Sequence, residues 1–169
     1  NQSRPFMDLA NTSQLTSPGT VFPGFSHLEG KTVAVLADGA VHPSVVVTGG
    51  NVTTQTPASE VIAGLAYRSK VHTLPVEVAQ HPNASEAMVK RMNRIYLRLQ
   101  GSQLPIINGV RPPTRQPMTP MGEVDPLSYD DIFVTNLGWD RLQSITIEED
   151  LPVETHILGM FAEMAVEIP

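Results

Sequence analysis

The chain has 169 residues, enough for one domain with a substantial core or for two small modules. Hydrophobic residues make up 41% and charged residues 17%, which excludes a disordered chain and leaves Ser, Thr, Asn, Gln and Gly to cover much of the surface, a balance that favours β structure. With no cysteine, disulfides, thiolate metal sites and cysteine nucleophiles are excluded, and a net charge of −6 argues against an electrostatic grip on nucleic acid.

Residues 1–26 are rich in Ser, Thr, Pro and Gly without sustained periodicity and read as an N-terminal arm or linker. Residues 27–169 read as a β domain, or as two sub-modules, 27–80 and 88–169. The stretch HLEGKTVAVLADGAVHP, His27 to Pro43, predicts a strand, a hairpin turn at Asp38-Gly39 where both residues tolerate positive φ, and a returning strand from Val41 to Thr48. Gly49-Gly50 is the next turn. A short strand from Val52 to Gln55 is expected to break at Pro57-Ala58-Ser59, with further strands at Glu60 to Tyr67 and Ser69 to Val78, the last bent by Pro75.

Ser85 to Arg91 contains good helix formers and predicts at most one short helix. In RIYLRLQ, Ile95, Leu97 and Leu99 alternate with Arg94, Tyr96 and Arg98, so a strand is predicted there. Residues 101–126 hold six prolines and three glycines and read as a long loop, flexible or ordered by a neighbouring chain, with Ile106, Ile107 and Val110 too few to pack it. Strands resume at Asp131 to Val134, Ser144 to Glu148 and within Val153 to Ile168. The expected fold is all-β: antiparallel barrel or sandwich modules with a proline-rich loop.

No residue pattern points to catalysis. The chain has no GxSxG, phosphate loop or GxGxxG, and its five histidines, His27, His42, His72, His81 and His156, lack HxH or HExxH spacing. Neither a metal nor a cofactor is expected. Glu148-Glu149-Asp150 lacks the alternating oxygens and turn glycine of a calcium loop and reads as a solvated strand end. Lys90, Arg91, Arg94 and Arg98, with Tyr96 interleaved, are the one basic concentration, a face for DNA or an acidic partner, or a solvated or subunit-facing strand surface. Trp139 is either a core plug at a turn or an interface anchor. Arg94, Tyr96, Arg98 and Trp139 are therefore the candidate interface residues, and Asp38, Gly39, Gly49 and Gly50 the structural turn residues.

Several segments together carry a resemblance. They are His27 to His42, Gly49-Gly50, PAS at Pro57 to Ser59, GLAYRSKVHTLP at Gly64 to Pro75, KRMNRIYLRL at Lys90 to Leu99, and GWDRLQSITIEEDLPVETHILGMFAEMAVEI near the end. In this order they resemble the C-terminal part of phage tail nozzle proteins, also called tail tubular proteins of short-tailed phages, over most of 27–80 and 88–168. The resemblance implies a virion structural subunit, assembled in the host cytoplasm into a homo-oligomeric ring, expected to be a hexamer, that contacts other tail proteins. Genomic DNA would pass through its channel without specific binding, and no membrane anchor is implied. The family's long upstream portion, largely β-propeller, is missing here, so the chain reads as a fragment, and the proline-rich 101–120 has no counterpart. The alternative expectation is a receptor- or glycan-binding module of a phage tail; an enzyme is not expected.

Overall fold

The computed structural model describes residues 5–77, 88–113, the backbone of 128–133, and 137–167. The fold is all-β, with ten strands among these residues: β1 Asp8–Pro23, β2 Thr32–Ala37, β3 Ala40–Val46, β4 Asn51–Leu65, β5 Ser69–His72, β6 Val89–Ser102, β7 Ile106–Ile107, β8 Ser128–Phe133, β9 Thr146–Glu149 and β10 Ile157–Glu167. The described residues divide into two compact units, 5–69 with 150–154, and 70–77 with 88–113, 128–133, 137–149 and 155–167.

The first unit is a four-stranded antiparallel sheet in the order β1-β4-β2-β3. Its strand β2 is apolar at consecutive positions because both of its faces are covered. Val33 and Val35 join Phe22, Phe25, Leu28 and Val61 in one core cluster. Ala34 and Leu36, on the opposite face, join Met7 and Val153 in another. Each fully buried side chain of this size contributes about 1.5–3 kcal/mol, so the VAVL run anchors the unit.

Residues 8–23 correct the expectation of an arm or linker over 1–26: they form β1, which pairs with β4 from Asp8↔Leu65 to Pro23↔Asn51. Their polar composition fits an edge strand exposed over much of its length. The expected break at Pro57 also fails, since β4 runs through it. Pro57 lies where the β1 ladder is irregular, between Val21↔Thr53 and Gly19↔Ala58, and β2 pairs with β4 only from Val61 to Gly64. The missing N–H therefore costs no ladder bond in a regular stretch.

Both predicted turns form. Asp38 (φ 49) and Gly39 (φ 81) connect β2 to β3, and Gly49 (φ 60) and Gly50 (φ 71) sit between the bridged residues Thr48 and Asn51. Positive φ at both central residues is the type I′ geometry that matches strand twist.

In the second unit, two three-stranded sheets, β10-β6-β8 and β5-β9-β7, contribute to one core, the arrangement of a small sandwich. Ile95, Leu97 and Leu99 of β6 face Ile107 of β7 and Ile147 of β9 in that core. The expected helix at Ser85 to Arg91 falls partly outside the described residues, and Val89 to Arg91 belong to strand β6. Part of the expected 101–126 loop is packed. Leu104 and Ile107 are core residues, β7 pairs with β9, and the Arg111 guanidinium donates to the Leu104 carbonyl at 2.8 Å. A two-residue strand is too short to show as periodicity, and its apolar side chains find cover from distant strands rather than from their own segment. Residues 114–127 lie outside the described residues.

Candidate functional site

The stretch His27 to Pro43 proves to be internal framework. Glu29 accepts from the amides of Gly49 at 2.9 Å and Gly50 at 2.6 Å, so a carboxylate fills the concavity those amides form. Asp38 accepts in the same way from Ser59 and Glu60 at 3.1 and 2.9 Å. The His42 ring bridges two backbone groups: Nε2 accepts from the Gln55 amide at 2.9 Å, which makes Nδ1–H the donor to the Pro43 carbonyl at 2.7 Å. With both nitrogens committed, His42 is a packing residue rather than a metal ligand. Likewise Nε2 of His27 meets the Leu9 carbonyl at 3.0 Å, and Nδ1 of His72 meets Thr146 Oγ1 at 2.8 Å. His81 lies outside the described residues. Among the described residues no group of three or more His, Asp or Glu side chains could hold a metal ion.

Two residues of the acidic cluster correct the sequence reading, while Asp150, just past the end of β9, is exposed. Glu148 and Glu149 are buried rather than solvated, because β9 is the central strand of its sheet and both of its faces are covered. Glu148 meets Lys70 at 3.1 Å, and Glu149 meets Arg111 at 3.1 Å and accepts from Thr155 Oγ1 at 3.1 Å. These partners stand far away in sequence, so no local pattern could have announced them.

The basic concentration on β6 also divides. On β10, Glu163 pairs with Arg94 and Met164 with Met92, leaving Asn93 as an extra residue on β6. This bulge reverses the phase of the alternation. C-terminal to it, Arg94 and Arg98 point outward and Ile95, Leu97 and Leu99 inward; N-terminal to it, Lys90 and Met92 are the inward residues. Lys90 is only 1% exposed, and its Nζ donates to the carbonyls of Val76 at 2.9 Å and Arg141 at 3.1 Å. It is a staple between segments, not part of a basic surface.

What remains outside is a compact face on the β10-β6-β8 sheet. Phe161 is the register partner of Tyr96, Glu163 of Arg94 and Gly159 of Arg98. Glu163 approaches Arg94 at 3.8 Å, both well exposed. The Arg94 guanidinium is held above its ordinary range, first by a hydrogen bond with Tyr96 and then by the charge of Glu163. Phe161 is 63% exposed, and its ring leans over Gly159, where an added Cβ would lie 3.6 Å from it. Phe161 was missed at the sequence level because nothing local shows which aromatic of an apolar strand faces outward. Trp139 is 48% exposed, so it is not a core plug. Its loop is fixed by paired backbone bonds between Asp140 and Lys90 at 2.8 and 2.9 Å, and Gln143 donates to the Gly138 carbonyl at 2.7 Å. Arg94, Tyr96 and Arg98 therefore share a face, whereas Trp139 sits in the loop bridged to the start of β6.

No protein-family model matches the chain, and no curated protein matches it either.

Proposed function

We propose that the chain is a structural β region of a phage tail nozzle, a subunit that assembles with further copies in a ring around the DNA exit channel. The observation that carries the reading is the ordered run of resembling segments from His27 to the C-terminal GWDRLQSITIEEDLPVETHILGMFAEMAVEI. The deployment of the polar groups supports it. Glu29, Asp38 and His42 hold turns and strands, and Lys90, Glu148 and Glu149 are consumed by internal partners, which is the economy of a rigid building block. Electron microscopy of the particle that carries this chain is the test. Copies arranged around the tail axis are expected; density for the chain only at peripheral fibres, or none in the tail, overturns the reading.

A second reading, a receptor- or glycan-binding module, is favoured by one observation, the cross-strand pair of Phe161 and Tyr96 on an exposed sheet face. An aromatic pair of this kind can stack on a sugar or anchor a protein partner. It predicts that Phe161→Ala abolishes adsorption to host cells while leaving particle assembly intact.

A further inference from the structure

Strand β10 stands at the edge of its sheet, with β6 as its one strand partner among the described residues. An edge strand offers a row of backbone N–H and C=O groups to any strand that can reach it, and soluble proteins guard such edges with proline, lysine, short length or a covering element. Among the described residues β10 is neither short nor covered by another strand, and its one bulge, at Leu158, lies near its start, leaving 159–167 in a ladder with β6 broken only by the bulge at Asn93. Its sequence, ILGMFAEMAVE, runs for eleven residues without proline, lysine or arginine. Leu158 and Phe161 are 61% and 63% exposed, and the strand is exposed or half-buried along its whole length. Its inward row, Met160, Ala162, Met164 and Val166, stands opposite Leu97, Ile95, Met92 and Lys90 of β6. Those β6 residues are fully buried while the β10 row is not, so the apolar face of the sheet continues past its last strand.

We propose that β10 pairs antiparallel with β10 of a second copy of this chain, joining two sheets across a two-fold axis at Ala162. The strand specifies its own partner. Ala162 is the midpoint of Ile157–Glu167, and centring there pairs 159–165, the stretch beyond the bulge at Leu158, with its own copy. This register sets Met160 against Met164 of the second copy, and Gly159 against Ala165, keeping inward residues with inward ones and outward with outward over 159–165. It also meets the charge requirement. Glu163 faces Phe161 of the second copy, so no like charges oppose one another over 159–165, whereas a shift of two residues toward the C-terminus would set the two Glu163 carboxylates directly opposite. The two Phe161 rings become diagonal neighbours across the axis, each beside a Glu163 that approaches its own Arg94. The interface is isologous, one patch used twice. It does not rest on the tail reading, since a two-fold pair is not a ring and any ring would be built by other surfaces.

The absence of cysteine makes the test specific. Ala162→Cys introduces one thiol at an exposed small residue, and across an antiparallel pair the two Cα atoms would lie about 4.5–5.5 Å apart, within the span of a disulfide. Under mild oxidation A162C should become a disulfide-linked dimer much faster than L74C, a control at a residue 85% exposed in a different segment. By sedimentation the unmodified chain should be a dimer, A162K and A162E should each be monomers with native circular dichroism, and their equimolar mixture should recover the dimer. A chain that stays monomeric at every concentration overturns the proposal, as does A162C linking no faster than L74C. An A162K and A162E mixture that remains monomeric while both variants are folded also overturns it. None of these outcomes bears on whether copies surround a tail axis, which microscopy decides separately.

Discussion

Two glycines carry different physical demands, and substitutions separate them. Gly39 needs its backbone: φ is 81° in the second turn position. Gly64 needs its space: a Cβ there would sit 2.8 Å from the Asp8 carbonyl oxygen and 2.9 Å from the Ala10 Cα, where β1 crosses close to β4. Gly39→Val should cost about 1 kcal/mol or more, while Gly39→Asn, a residue that tolerates positive φ, should be near neutral. At Gly64 both Asn and Ala should destabilise by about 1–3 kcal/mol, because backbone atoms cannot move aside. Urea denaturation of the four variants checks this; an unchanged midpoint for Gly64→Ala would mean that β1 can lift off β4 at little cost. The Asp-Gly turn was legible from its two residues alone. The Gly64 contact was not, because the atoms it would strike belong to residues more than fifty positions earlier.

At the scale of the element, β6 shows how one residue sets what a strand presents. Asn93 is unpaired against β10, and it lets one strand bury Lys90 and Met92 before it and Ile95, Leu97 and Leu99 after it. Deleting Asn93 restores strict alternation, so one half of the strand must turn its buried set to water. Either the Lys90 ammonium leaves the Val76 and Arg141 carbonyls, or three core aliphatics become exposed. The expected result is loss of hydrogen-exchange protection throughout β6, β9 and β10, with β2 amides still protected. Full protection of β6 in the deletion variant would show that the bulge slides to a neighbouring residue. The alternation over Arg94 to Leu99 was readable as a strand face, but the same reading carried Lys90 onto the basic surface, since a bulge leaves no fixed mark in the sequence.

At the scale of the whole molecule, the chain returns to complete a unit it left some eighty residues earlier. Val153 is buried with Met7, Ala34 and Leu36, and the Phe6 amide donates to the Pro152 carbonyl at 3.3 Å. The first unit is therefore not a product of residues 5–69 alone, and the expected boundary between 27–80 and 88–169 does not describe how its core is assembled. Val153→Ala should destabilise the β1–β4 sheet by about 2 kcal/mol through the cavity it leaves, and Val153→Asp should unfold it by burying a charge. Hydrogen exchange at β2 amides is the readout. Unchanged protection in Val153→Asp would mean that 150–154 merely rests on a sheet that is stable without it.

The sequence by itself determined the all-β class, the two positive-φ turns and the inward row of Ile95, Leu97 and Leu99. Each of these depends on residues within a few positions of one another: alternation has a period of two, and a tight turn is written in two residues. Only the tertiary structure decided that the polar 8–23 segment is a sheet strand, that Pro57 is passed without a break, and that Leu104 and Ile107 are core. It also decided that Lys90, Glu148 and Glu149 are buried and that Phe161 is exposed. In each of those cases the deciding partner is distant in the chain: β4 for β1, Val76 and Arg141 for Lys90, Lys70 and Arg111 for the two glutamates. A buried charge is stable only where a partner arrives to meet it, and which partner arrives is fixed by how the sheets close rather than by the residues alongside.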